Sequence, residues 1–173
     1  MSVALTPLSA AHREGVEMLW GDLRVIRCTN LLRPCGREEA RARLEQLLSC
    51  ERGLSAPVLF AVLAEGRFCG IAGCPPIRAE EEIFGFFYQL LPAFWGRGIG
   101  FAAAKMTLER LEAAFPAAVV YADAAAENLA SVKILESLGF SLRRVRPGAF
   151  CREGVCGDIL DYMRSGGKRG EKK

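Results

Sequence analysis

The spacing of apolar residues changes along the chain, and the changes mark its elements. "VALTPL" near the start alternates like a short strand. "SAAHREGVEMLW" takes helical spacing, with Ser9 placed to cap it. "LRVIRC" suits either a strand or the end of that helical region. "GREEARARLEQLLSC" predicts a second helix with Ala40, Leu44, Leu47 and Leu48 on one side. After the "RGLSAP" loop, "VLFAVLA" and "RFCGIAGC" are β-rich runs joined at "EGR", which predicts a hairpin. "PPIRAEEE" breaks the pattern, and "IFGFFYQLL" has so few polar positions that it predicts a strand in mid-sheet.

"PAFWGRGIG" follows, and then helical spacing returns through Phe101, Ala104, Leu108, Leu111 and Phe115. "AAVVYADA" is a further strand. "NLASVKILESLGF" is a helix that starts at Asn128 and stops at Gly139. "SLRRVR" and "GDILDYMR" predict a closing strand pair, with "PGAFCREGVC" as the loop between them. Helices first, then a β meander, then strand–turn–helix–strand–helix and two strands give an α/β (α+β) domain with a mixed sheet.

Length and composition narrow this picture only slightly. The 173 residues favour one domain, set here at 1–164, with a basic tail over 165–173 that ends in "KRGEKK". The net charge of +3 is small, and the tail is too short and too poor in aromatics for a nucleic-acid platform. No segment has the ~18 consecutive apolar residues of a membrane span, and the N-terminus lacks the pattern of a signal peptide, so a cytoplasmic protein is expected. Seven cysteines, an odd count with no C-x-x-C pair, argue against a disulfide framework. His12 is the only histidine and has no partners at metal-ligand spacing, so no metal site is expected.

The candidate chemistry lies in "WGRGIG". A glycine turn between a strand and a helix leaves the first helical N–H groups open, and phosphate binds such a place. The stretch lacks the Lys-Ser/Thr of a Walker A loop. It also lacks the third glycine spacing and the early βαβ frame of a dinucleotide fold. A turn that only connects strand to helix is the alternative.

"LLPAFWGRGIGFAAA", followed about thirty residues later by "ENLASVKILESLGF", resembles the GNAT acetyltransferase superfamily. The family's [QR]-x-x-G-x-[GA] signature maps onto Trp95, Gly96, Arg97, Gly98, Ile99 and Gly100, with Trp in place of Gln or Arg. Trp-Gly-Arg-Gly here is typical of the RimJ/RimL-like branch, which includes ribosomal-protein N-terminal and aminoglycoside acetyltransferases. The likeness is close over Phe84 to Phe140 and topological elsewhere. It implies a mostly antiparallel central sheet flanked by helices and acetyl-CoA as co-substrate. The pyrophosphate is then expected on the N–H groups of residues 96–100. The pantetheine is expected along a splayed strand edge near Tyr88, Leu90 and Leu91, with Asn128 contacting it or capping the helix. The implied partners are acetyl-CoA and an amine, with no membrane and no nucleic acid; a homodimer is the oligomer considered.

The resemblance also shows departures. The strand glutamate that many relatives use as general base falls at Gly85, and the tyrosine used elsewhere as general acid falls at Leu135. Glu82 is the nearest carboxylate in sequence, and its alternative is a solvated loop charge. Ser131 matches the serine proposed in this branch as proton donor to the CoA thiolate; its alternative is helix packing. A chain of this kind is an acetyltransferase acting by direct attack of the amine, or a degenerate acyl-CoA-binding sensor or scaffold.

Overall fold

The computed structural model describes residues 2–27, 29, 31, 33–152 and 154–166. Its first part runs β1 (Val3–Pro7), α1 (Arg13–Gly21), α2 (Leu23–Ile26) and α3 (Arg37–Ser49). "LRVIRC" thus resolves as a short helix, α2, capped by the Asp22 carboxylate accepting from Arg24 N–H. Next come β2 (Leu59–Ala64), β3 (Arg67–Gly73), β4 (Pro76–Arg78), β5 (Ile83–Gly85) and β6 (Phe87–Leu90). The chain closes with α4 (Ile99–Ala114), β7 (Val119–Ala125), α5 (Leu129–Ser137), β8 (Ser141–Arg152) and β9 (Val155–Ser165).

The strands form two sheets. One is antiparallel in the order β1-β2-β3-β6; the other runs β4-β5-β7-β9-β8, with β5 and β7 parallel. The "IFGFFYQLL" run is therefore not one strand. It pairs with β7 over Ile83–Gly85, passes Phe86, and then pairs with β3 over Phe87–Leu90. Phe86 holds this change of partner: its ring is buried, stacked on Phe140 at 5.5 Å and near Tyr88 at 5.9 Å between centroids. β6 and β7 thus diverge from one root, and β6 is left with an unpaired edge facing the gap.

The apolar run in β2 reads as continuous because both faces are buried. Leu59 and Ala61 face the core under α1 and α3, while Phe60 and Val62 face the core under the start of α4. The "PGAFCREGVC" loop is also a correction. β8 and β9 continue through it as one long hairpin, and Cys151 and Cys156 face each other near its tip in a disulfide. The cysteine count argues against a disulfide framework, but a single cross-strand pair needs only two cysteines opposite each other in register. Cys35, Cys50, Cys69 and Cys74 are free thiols, and Cys28 lies outside the described residues. At the C-terminal end Gly166 N–H still donates to the Ala118 carbonyl (2.7 Å), and "KRGEKK" lies outside the described residues.

Candidate active site

The open edge of β6 sets the site. Leu91 N–H donates to the Cys69 carbonyl (2.8 Å), in register with the β3–β6 ladder. Backbone direction alternates along a strand, so Phe87, Gln89 and Leu91 turn their N–H and C=O groups to β3. Tyr88 and Leu90 turn theirs to the open edge. The Leu90 N–H therefore lies on the gap side, where it can polarise a carbonyl, whereas the Leu91 N–H is already used within the sheet.

A cleft of about 530 Å³ follows this edge. Tyr88, Leu90, Trp95, Gly96, Gly98, Gly100, Asn128 and Ser131, all singled out in the sequence, meet on its wall. Ile99 belongs to this turn, but its side chain is buried in the core under α4, and the Arg97 side chain points to solvent. The glycines differ in role. Gly96 (φ +69) and Gly98 (φ +74) are left-handed, and a Cβ at either would meet no protein atom within 4 Å. Gly98 is the N-cap of α4, so the free N–H groups of a sixteen-residue helix open onto this space. Gly100 is helical, and a Cβ there would meet Ile134, Leu90 and Tyr88 at ordinary contact distance (3.6–3.7 Å). The tryptophan that departs from the signature ties the turn to the strand: its indole N–H donates to the Leu90 carbonyl at 2.7 Å.

Hydroxyl groups stand where the family tyrosine is missing. Asn128 Oδ1 caps α5 by accepting from Ser131 N–H (3.2 Å), which fixes Ser131 in the first turn. Tyr88 O–H donates to Ser131 Oγ at 3.0 Å. Burial raises the Tyr88 pKa above its ordinary 10, outweighing the opposing effect of the Ser131 hydrogen bond, so the phenol keeps its proton at neutral pH.

On the α1 side of the splay lies a second cleft of about 660 Å³, and a gap of about 90 Å³ sits between the two. The gap shares Tyr88, Asn128 and Ser131 with the first cleft, and Phe86, Phe87 and Asp123 with the second. Asp123, on β7, is the only carboxylate on its wall. Gln89 borders all three spaces. The Trp20 indole N–H, which can only donate, binds Gln89 Oε1 at 2.8 Å and so turns the Gln89 NH₂ group the other way. Sequence reading missed both residues. Asp123 sits on the strand–helix path to Asn128 with no motif around it, and Gln89 gains its orientation from Trp20, sixty-nine positions away.

Glu82 is not brought to this place. It ends a short 3-10 turn at φ +53, its carboxylate accepts from Ala117 N–H (3.2 Å), and its carbonyl accepts from Val119 N–H (2.9 Å). Tyr88 lies six residues further along the chain, a span of up to about 20 Å when extended. It serves the root of the β5–β7 pair. Among the described residues no cluster of His, Cys, Asp or Glu could hold a metal ion, and no helix is long and apolar enough to cross a membrane.

Comparison with known proteins agrees with this geometry. No curated protein matches the sequence. Among solved structures, RimL, the ribosomal L7/L12 alpha-N-protein acetyltransferase, in complex with coenzyme A, superposes with a TM-score of 0.79 at 16% identity, over 95% of this chain and 94% of that one. The ribosomal-protein-S18-alanine N-acetyltransferase from Escherichia coli gives 0.73 at 16% identity, over 99% of each chain. A phosphinothricin acetyltransferase from Sinorhizobium meliloti in complex with acetyl-CoA gives 0.78 at 20% identity, over 96% and 90%. These likenesses show the fold. The family model of the acetyltransferase (GNAT) domain matches residues 2–141, most of the chain, and with it the splayed sheet and glycine turn place this protein in the GNAT acetyltransferase family, as an acetyl-CoA-dependent N-acetyltransferase.

Proposed function

We propose that the protein is a working transferase in which the amine enters the 660 Å³ cleft and meets the thioester at the 90 Å³ gap. The observation that carries this reading is the gap itself: it joins two clefts and is bordered by the Asp123 carboxylate and by the hydroxyl-bearing residues Tyr88 and Ser131. A sensor of acyl-CoA needs the 530 Å³ cleft alone. The turn at Gly96 and Gly98 fits a pyrophosphate, since nothing of the protein fills the space above it. The Tyr88 backbone and the Leu90 N–H offer the pantetheine an unpaired edge, the Leu90 carbonyl being held by the Trp95 indole.

Asp123 takes the proton from the attacking amine, in place of the carboxylate absent at Gly85. Leu90 N–H faces the carbonyl oxygen as it gains charge. Gln89 presents its NH₂ group to an oxygen of the acceptor. Ser131, supported by the Tyr88 hydroxyl, returns a proton to the departing thiolate. Holding the two reactants across so narrow a gap supplies much of the rate. The RimL and ribosomal-alanine neighbours act on protein N-termini and the phosphinothricin enzyme is named for a small molecule, so both acceptor kinds remain within this reading. We place the enzyme in the cytoplasm, as one domain over 1–164; the four free described thiols support that compartment, while the Cys151–Cys156 disulfide is a bond that reducing compartments disfavour.

The test is Asp123→Asn, assayed by release of free CoA thiol across pH 6–10. The amide is isosteric and cannot accept the proton. We expect kcat to fall about 10²-fold or more at neutral pH and to recover as rising pH neutralises the amine in solution, with the CoA affinity unchanged. Wild-type kcat in the variant at pH 7 would remove Asp123 from the reaction. No CoA release from the wild type with any amine would favour the sensor.

A further inference from the structure

The amine cleft has a charge imbalance that its own residues do not resolve. Four charged residues line it: Asp123, Arg143, Arg144 and Asp161. The two carboxylates share a fifth, Arg146. Its Nε and Nη2 bind Asp161 at 2.8–3.0 Å, and its Nη2 reaches Asp123 at 3.3 Å. Arg143 and Arg144 make no ion pair and no hydrogen bond among the described residues. They leave two guanidinium groups without a direct partner among the described residues on the wall of a cavity, where with Arg146 the arginines exceed the carboxylates by one charge.

Their placement is a feature of the strand. β8 pairs Leu142 with Tyr162 and Arg144 with Asp161, so Arg143 is the extra residue of a bulge. In a regular strand, neighbours point to opposite faces, and one of two consecutive arginines would leave the cleft. The bulge re-aims the pair, and both line the cavity. The register also sets the distance to the reacting end. Arg144 lies opposite Asp161, and Asp161 lies opposite Asp123. Two strand spacings put the Arg144 Cα about 10 Å from that of Asp123.

Resting on the acetyl-transfer reading of this cleft, we propose that Arg143 and Arg144 form a subsite for a side-chain carboxylate of the acceptor. The acceptor is then an amine with an acidic side chain within about 10 Å of its nitrogen. Guanidinium groups bind a carboxylate through paired N–H donors. Two sources offer this chemistry: a free amino acid with an acidic side chain, and a peptide whose N-terminal amine is followed by an acidic side chain.

The experiment uses matched pairs that differ only in that charge. Glutamate and aspartate are set against their side-chain amides, and N-terminal Ala-Glu and Ser-Asp tetrapeptides against Ala-Gln and Ser-Asn forms. Each is assayed for CoA thiol release and titrated calorimetrically onto the CoA-loaded protein, with wild type, Arg143→Gln/Arg144→Gln, and Arg143→Lys/Arg144→Lys. We expect the acidic member of at least one pair to be bound at least about tenfold more tightly by wild type, as one or two charge-assisted bonds imply. The preference vanishes in the Gln variant and survives in part in the Lys variant, with CoA affinity and melting temperature unchanged. Discrimination among free amino acids alone, or among peptides alone, identifies the source. Equal binding of both members by wild type, binding of none at millimolar concentration, or a preference that persists in the Gln variant would overturn the subsite. Discrimination in the titrations without any thiol release would refute acetyl transfer and leave the subsite standing.

Discussion

Two glycines with the same backbone angle separate the work of the glycine turn from its conformation. Gly98 and Gly66 both have φ +74, and a Cβ at either would meet nothing within 4 Å. Gly66 sits in the β2–β3 hairpin turn; Gly98 caps α4 on the wall of the 530 Å³ cleft. An alanine in left-handed geometry costs about 1–2 kcal/mol at either place. Against a total stability of about 5–15 kcal/mol, both variants fold. For a chain of this size each lost kcal/mol lowers Tm by about 2–4 °C, so both should melt roughly 2–8 °C below wild type. Their ligand binding should differ. At Gly98 the methyl group stands where a pyrophosphate must approach the free helix N–H groups. Each charge-assisted bond lengthened or lost costs about 1.5–3 kcal/mol, or about tenfold or more in Kd. The assay is calorimetric titration with CoA beside a thermal melt for wild type, Gly98→Ala and Gly66→Ala. We expect matched melts and a CoA Kd raised at least about tenfold in Gly98→Ala alone. Wild-type CoA affinity in Gly98→Ala, with its melt lowered as in Gly66→Ala, would show that the turn is only a connector.

Ser131→Ala should lower kcat by more than it raises the Kd for acetyl-CoA, because a proton donor acts as the thiolate leaves; unchanged kcat in single-turnover assays would reduce Ser131 to a helix residue. Burial raises the Tyr88 phenol above 10, so the alkaline fall in kcat due to this group should be centred above pH 10, and Tyr88→Phe should lose that limb; a fall centred below 10 that Tyr88→Phe removes would contradict it. Trp95→Phe keeps the ring and drops the bond to the Leu90 carbonyl, which should cost about 1 kcal/mol in a melt and loosen CoA binding a few-fold. Burial pushes the Cys69 thiol up to about 11, and Cys74 is also raised by burial, so both should resist thiol reagents in the native state, and Cys69→Ala/Cys74→Ala should keep kcat within a few-fold; rapid labelling that abolishes turnover would show otherwise.

What the sequence showed and what it hid follow from one distinction. Elements governed by their own residues were legible: α4 by its 3.6 spacing, the β2–β3 hairpin by its turn, the anion turn because Gly96 and Gly98 must take positive φ. Features governed by a partner were not. "IFGFFYQLL" looks continuous because Phe84, Phe86 and Leu90 are all buried, yet its first half pairs with β7 and its second with β3. The choice between Leu90 and Leu91 as edge donor depends on register with Cys69, twenty-two positions before Leu91. The same distinction explains why seeking the base at its usual strand position led to Glu82. Acetyl transfer requires a proton acceptor and a proton donor at fixed distances from the thioester, and it does not require them at fixed places in the chain. The splay at Phe86 brings the far side of β7 and the first turn of α5 to the same gap. Gly85 and Leu135 can therefore lose the family's two groups while Asp123, Tyr88 and Ser131 still border one gap from neighbouring elements.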